Sequence, residues 1–239
     1  FVIDAGAGKC GKAAWLASLS PGTIVIAADI GDSLFAAADH YREMRNLYFL
    51  RCDIGDMPFL RSGVFDYVNC DQVIQHTQDP DKTFKELVRL AKKGHDITCY
   101  VYRKKALPRE LLDDHFRKLA ADLSHESLME FSEQMTDLGR LLSSTDEKIE
   151  FPDIPLLNIE GGKMTVQRFI YWNFAKCFWN DDIGFKPSLM ANYDWYSPSL
   201  AARYSKEEFM QLIEKKGLEM IHFHQEKACF SGRFRKLKE

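Results

Sequence analysis

The stretch Val2-Ile3-Asp4-Ala5-Gly6-Ala7-Gly8-Lys9-Cys10-Gly11 decides the fold. A strand pattern, Phe1–Ala5, runs into Gly6-x-Gly8-x-x-Gly11, and a helical pattern over Cys10–Leu19 follows. Glycines so spaced let the chain turn tightly and bring bare backbone against a nucleotide. The next strand pattern, Thr23–Ala28, ends at Asp29, an acid placed to accept hydrogen bonds from ribose hydroxyls. Phe1 already stands inside a strand pattern, so a preceding segment is expected.

Outward from this turn, Leu47–Arg51, Phe65–Asn69 and Asp96–Arg103 are further strand candidates, with helical patterns at Ser33–Arg42 and Asp81–Lys92. In the second of these, Phe84, Leu87, Val88 and Ala91 form one apolar stripe. Asp79-Pro80 supplies its cap and first-turn proline, and Lys92-Lys93-Gly94 reads as its basic, glycine-ended C-terminus. Strands alternating with helices predict a parallel sheet covered on both faces. The alternation stops after Arg103. Leu107 to about Leu142 is helical and charged, and Phe151 to Met190 is irregular and aromatic. That second stretch reads as a helix face packed on the sheet or as a lid over a ligand pocket, and the two are compatible. Ser205-Lys206-Glu207-Glu208 is a capping box opening a helix that Gly217 closes. Leu218–His224 and Ala228–Arg235 read as an antiparallel hairpin.

Composition excludes several classes. The 239 residues carry 32 basic and 35 acidic side chains and are 46% hydrophobic, a globular balance with no cationic excess for nucleic acid or anionic lipid. No apolar run reaches the roughly 18–20 residues of a membrane span, and no secretory signal is visible. Cysteines 10, 52, 70, 99, 177 and 229 are scattered without a C-x-x-C pair, which points to a reduced, cytoplasmic protein with buried thiols. His222-x-His224 places two imidazoles on one strand face with no third ligand, so no metal is expected. Arg233-Phe234-Arg235-Lys236-Leu237-Lys238 reads as a solvated basic end.

Two nucleoside ligands fit the glycine turn. Its spacing is literally a dinucleotide fingerprint, which implies a nicotinamide- or flavin-dependent oxidoreductase. Two acids argue for another ligand. Asp4 closes the first strand two residues before Gly6, where a carboxylate disfavours a pyrophosphate and favours a cation. Cys52-Asp53-Ile54 then adds an acid able to accept from an adenine amino group.

On these residues the sequence resembles the class I S-adenosylmethionine-dependent methyltransferases. VIDAGAGKCG (2–11) is similar to their first motif, IAADIGDS (26–33) to the second-strand motif and RCDIGDMPF (51–59) to the third. FDYVNCDQVIQHTQDPDKTFKELVRLAKKG (65–94) looks like their fourth strand and its helix. The tail, Tyr193-Asp194-Trp195-Tyr196-Ser197-Pro198 and Arg203-Tyr204-Ser205-x-Glu207-Glu208, is similar to a bacterial subgroup with a helical insertion after the fifth strand. Two positions depart: Cys10 replaces the third glycine of the G-x-G-x-G turn, and Gln75 replaces the first histidine of a His-His pair.

The resemblance implies a Rossmann-like three-layer α/β sandwich with a mostly parallel seven-stranded sheet ending in the antiparallel hairpin. Residues 1–103 would form the cofactor-binding core, 104–190 a helical insertion acting as a cover, and 191–239 the completion of the sheet. S-Adenosylmethionine would be held by backbone at Gly6 and Gly8, with Asp4 near its ammonium. Asp29, beside Ile30, would take the ribose; Asp53 and Ile54 would take the adenine; Cys70, Asp71 and Gln72 would meet the methionine part. His76 is the candidate base for an oxygen or nitrogen acceptor. Tyr102, Tyr193, Trp195, Tyr196 and Arg203 are the candidates for the acceptor pocket. The expected activity is methyl transfer to a small molecule, without nucleic acid or membrane partners. An oxidoreductase, or a degenerate fold that binds the nucleoside without catalysis, is the alternative.

Overall fold

A computed structural model describes residues 1–237, which divide into two compact units. The first joins Phe1–Arg103 to the chain from Ala201 onward; the second is Lys104–Leu200. In chain order the first unit opens with β1 (Val2–Ala5), α1 (Gly11–Ser18), β2 (Val25–Asp29), α2 (Ser33–His40), β3 (Leu47–Arg51), β4 (Phe65–Asp71), α3 (Pro80–Leu90) and β5 (Ala91–Arg103). The second unit contributes α4 (Leu107–Ala120), α5 (His125–Leu142), the hairpin β6 (Lys148–Phe151) and β7 (Gly162–Thr165), α6 (Val166–Asn173) and α7 (Phe185–Tyr196). The first unit then closes with β8 (Arg203–Tyr204), α8 (Lys206–Lys215), β9 (Leu218–Gln225) and β10 (Cys229–Lys236).

The sheet runs β3-β2-β1-β4-β5-β10-β9, parallel from β3 to β5 and antiparallel through the last two strands. An eighth, two-residue strand was not expected. β8 pairs with Tyr102 and Arg103 of β5, beyond the point where Asp71 and Tyr100 end the pairing of β4 with β5. Alternation along each strand gives the two faces separate cores. Ile3, Ala5, Val68, Ile97 and Val101 pack with Phe84 and Leu87 of α3 and Phe209 of α8. Val25 and Ala27 pack instead with Ala13, Ala14 and Ala17 of α1 and with Leu34 and Ala37 of α2. Five of the six cysteines are buried, Cys52 is half-buried, and all six are free thiols.

Four expectations need correction. Helix α3 stops at Leu90, because Ala91 turns extended and pairs with Phe65; Lys92-Lys93-Gly94 belongs to β5. The basic end is only partly solvated as far as it is described. Arg233 and Arg235 pair with Asp96, and buried Lys236 donates to the Ala91 carbonyl (2.8 Å), beside the C-terminus of α3. Lys238 lies outside the described residues. The stretch 151–190 is irregular only in part, since it holds β7, α6 and the start of α7, while residues 174–184 carry no helix or strand. Helix α7 runs across position 190, so the inserted unit extends to Leu200 and takes Tyr193, Trp195 and Tyr196 with it.

Candidate nucleoside-binding site

The glycine turn hangs from the end of β2. The Gly6 and Ala7 amides both donate to the Ala28 carbonyl, at 2.7 and 3.0 Å. Gly6 has φ 80°, and a Cβ there would stand 2.3 Å from the Val73 side chain, so only glycine fits. Gly8 also has positive φ, 53°. Cys10 takes the left-handed conformation that its missing glycine would have taken, with φ 60°. The departure in sequence is therefore absorbed as backbone strain at Cys10. Burial, with Asp4 and Asp29 nearby, raises the Cys10 thiol to about 11, so it stays protonated at neutral pH.

Asp29 joins the two turns at the carboxyl ends of β1 and β2. One of its oxygens accepts from the Gly8 amide and the other from the Gly31 amide, both at 2.7 Å. Each carboxylate oxygen retains a second lone pair for a ligand hydroxyl. The Ser33 hydroxyl donates to the Gly8 carbonyl (3.2 Å) and closes the same ring of contacts. Ile30, next along, is 68% exposed, an apolar side chain left in the open at the sheet's carboxyl end. Asp53 is exposed and accepts from the Gly55 amide (2.8 Å) through one oxygen. Gly55 has no space for a side chain, because a Cβ would meet the Thr83 hydroxyl at 2.8 Å.

Two expected contacts are placed differently. Ile54 is 5% exposed and belongs to the main core, so its side chain is a packing residue rather than a ligand surface. Asp4 is 3% exposed and accepts from the Asn69 amide (2.6 Å), tying β1 to β4. Burial raises its pKa, with the Asn69 hydrogen bond and Lys12 opposing. The side chain of Cys70 is buried in the core. Asp71, at the end of β4, forms an ion pair with Lys12 of α1, and Gln72 follows with φ 64°. Sequence reasoning missed Lys12, Asn69 and Val73, whose roles come from tertiary neighbours and leave no local pattern.

Beyond β4, the 3-10 turn Ile74–His76 carries the candidate base. The His76 ring meets the Tyr102 ring edge-on at 5.4 Å between centroids, and Tyr102 pairs with Arg203 of β8. The Ala202 amide donates to the Gln75 carbonyl (2.8 Å), so three expected residues, His76, Tyr102 and Arg203, meet at one end of the sheet. Gln75 itself is fully buried, and neither polar atom of its amide has a hydrogen-bond partner among the described residues. Tyr193, Trp195 and Tyr196 lie in the other unit. Tyr196 is a core residue there, 2% exposed, with its hydroxyl donating to the Lys176 carbonyl (2.8 Å). Its role as a pocket residue is thereby overturned by its burial. Tyr193 bonds to His125 (2.9 Å), and the Trp195 indole donates to Asp113 (3.0 Å). Among the described residues no three of His, Cys, Asp and Glu are grouped to hold a metal, and no helix is long and apolar enough to cross a membrane.

Comparison with known proteins agrees with this geometry. Residues 3–98 match the family described as "Methyltransferase domain". An uncharacterised protein of Synechococcus sp. is 28% identical over 113 residues, which are 42% of this chain and a quarter of that protein's length. A Mesorhizobium loti S-adenosylmethionine-dependent methyltransferase superposes with a TM-score of 0.56 at 8% identity, over 98% of this chain and 90% of the other. A Burkholderia thailandensis 1,6-didemethyltoxoflavin-N1-methyltransferase, solved with 1,6-didemethyltoxoflavin and S-adenosylhomocysteine bound, gives 0.51 at 11% identity, over 99% and 71%. Such low identities establish a shared fold.

Proposed function

We propose that this chain, whose residues 3–98 match a methyltransferase-domain family, transfers the methyl group of S-adenosylmethionine to a small-molecule acceptor. The observation that carries the proposal is the carboxylate of Asp29, held by the Gly8 and Gly31 amides beside a glycine turn whose first glycine, Gly6, has no room for a side chain. When bound, S-adenosylmethionine supplies a methyl group already activated by its sulfonium.

The chain's own residues then bind, orient and move a proton. Gly6 and Gly8 offer backbone at close range, and Asp29 accepts from the ribose hydroxyls through its remaining lone pairs. Asp53 accepts from the adenine amine, and exposed Ile30 offers an apolar surface beside the ribose. Asp4, buried two residues before Gly6, is a carboxyl group that makes a poor neighbour for a pyrophosphate, which favours this donor over a dinucleotide. His76 is proposed to take the acceptor's proton, with Tyr102 and Arg203 beside it orienting that acceptor. The Burkholderia relative's bound ligands are a precedent for pairing this cofactor product with a small heterocycle on this fold.

Two substitutions test the roles. Asp29→Ala is expected to weaken S-adenosylhomocysteine binding about tenfold or more, as loss of a charged hydrogen-bond acceptor does; unchanged affinity sinks the ribose role. His76→Ala is expected to cut turnover about 100-fold while leaving cofactor affinity intact. An unaltered rate would leave His76 structural.

A further inference from the structure

Helix α4 in the inserted unit inverts the usual burial rule. Leu107, Leu111 and Leu119 are 41%, 64% and 44% exposed, whereas Arg109, Asp113 and Arg117, spaced i, i+4 and i+8, are 1%, 1% and 7% exposed. Guanidinium groups are costly to bury unless each finds partners. Arg109 donates to Asp113 (2.9 Å) and to the Tyr171 carbonyl; Asp113 also accepts from the Trp195 indole (3.0 Å). Arg117 donates to the Trp195 and Pro198 carbonyls, both at 3.1 Å. The helix thus gives up a leucine core in order to hold charge inside.

Two further cations lie against the Tyr171 ring, and one of them also against Trp195. The Lys176 ammonium lies 5.1 Å from the Tyr171 centroid and 5.3 Å from that of Trp195, and it donates to the Tyr171 hydroxyl (3.1 Å). The Arg168 guanidinium lies 5.4 Å from the Tyr171 ring, and Arg109 lies 5.6 and 5.0 Å from Tyr171 and Trp195. Both Arg168 and Lys176 are half-buried, and neither pairs with a carboxylate among the described residues. Ring faces offset part of this charge. They do not remove the repulsion among cations held this close and partly out of water. Where a local rule is broken without a compensating gain in packing, a functional site is the usual cause.

We infer that the unit Lys104–Leu200 holds a binding site for a small oxyanion, a carboxylate or a phosphate group, at Arg168 and Lys176. Arg168 offers a planar fork of donors and Lys176 a point charge, while the Arg109–Asp113 pair behind them fixes the rings and the direction of approach. The two cations reachable from solvent are the ones without a carboxylate, as an anion site requires.

The test titrates the whole chain with inorganic phosphate and, separately, with benzoate, against sodium chloride at matched ionic strength. Tryptophan fluorescence and the thermal midpoint are the readouts. A saturable response to phosphate identifies a phosphate-bearing ligand, and one to benzoate a carboxylate. Either response is expected to weaken about tenfold or more in Arg168→Gln and Lys176→Gln. Lys176→Arg, which keeps the charge, is expected to retain it, and S-adenosylhomocysteine affinity is expected to stay unchanged in all three. No saturable response to either anion, or one undiminished in both neutral variants, overturns the site.

Discussion

Gln75 is the residue whose chemistry is least settled by its own surroundings. Its amide sits in the core end of the turn after β4 with both polar atoms unpaired, while its backbone carbonyl is fixed by Ala202. A buried amide without partners costs the desolvation of each group. Gln75→Met, similar in volume and apolar, is therefore expected to stabilise the free protein by about 1–2 kcal/mol, raising the thermal midpoint by about 2–8 °C. A lowered midpoint in thermal denaturation would contradict this and point to an internal water bonded to the amide. Cys10 shows the opposite situation. Its left-handed φ is strained for a residue with a Cβ, yet the side chain is fully buried in the α1–α2 core, which offsets the strain.

At the scale of elements, α3 is tied by one ion pair to the loop that follows β3. Glu86 and Arg89 pair on its surface (2.6 Å), Glu86 accepts from the Met57 amide, and Arg89 donates to the Met57 and Leu60 carbonyls. Together they staple the loop after Asp53 to the helix. The Arg89 hydrogen bond holds the Glu86 carboxyl below its ordinary value of 4.5. A carboxyl depressed on folding stabilises the fold above its unfolded pKa, and that contribution fades as pH falls through the folded value. Glu86→Gln is thus expected to cost about 1–2 kcal/mol at pH 7 and progressively less below pH 4.5, flattening the acid limb of a urea-denaturation series. A constant cost down to pH 3 would show the pair to be energetically idle. The helix pattern of α3 was legible from its stripe and its Asp79 cap, which does accept from the Lys82 amide (2.9 Å). Its end was not, because Ala91 is claimed by pairing with Phe65, a partner 26 residues earlier that no local rule contains. The inward charges of α4 were hidden for a related reason. Leucine spacing marks an apolar face, and only tertiary partners such as Tyr171 and Trp195 reveal that the other face is buried.

At the scale of the whole molecule, the alternation of strands with helices and the glycine turn could be read from spacing, since both are written in short-range backbone preferences. The C-terminal hairpin was legible for the same reason. Of the residues proposed for the acceptor, His76, Tyr102 and Arg203 come together, whereas the aromatic run Tyr193–Tyr196 looks continuous with Arg203 in sequence and belongs to a different unit. What unites these findings is the proposed nucleoside site at the carboxyl ends of β1, β2 and β3, with its one glycine turn and two acids. The direct measurement is a calorimetric titration of the purified chain with S-adenosylhomocysteine and, in parallel, with NADH. Micromolar binding of S-adenosylhomocysteine with no heat from NADH is the predicted result; binding of NADH alone, or of neither ligand, would contradict a methyl-donor site in this turn.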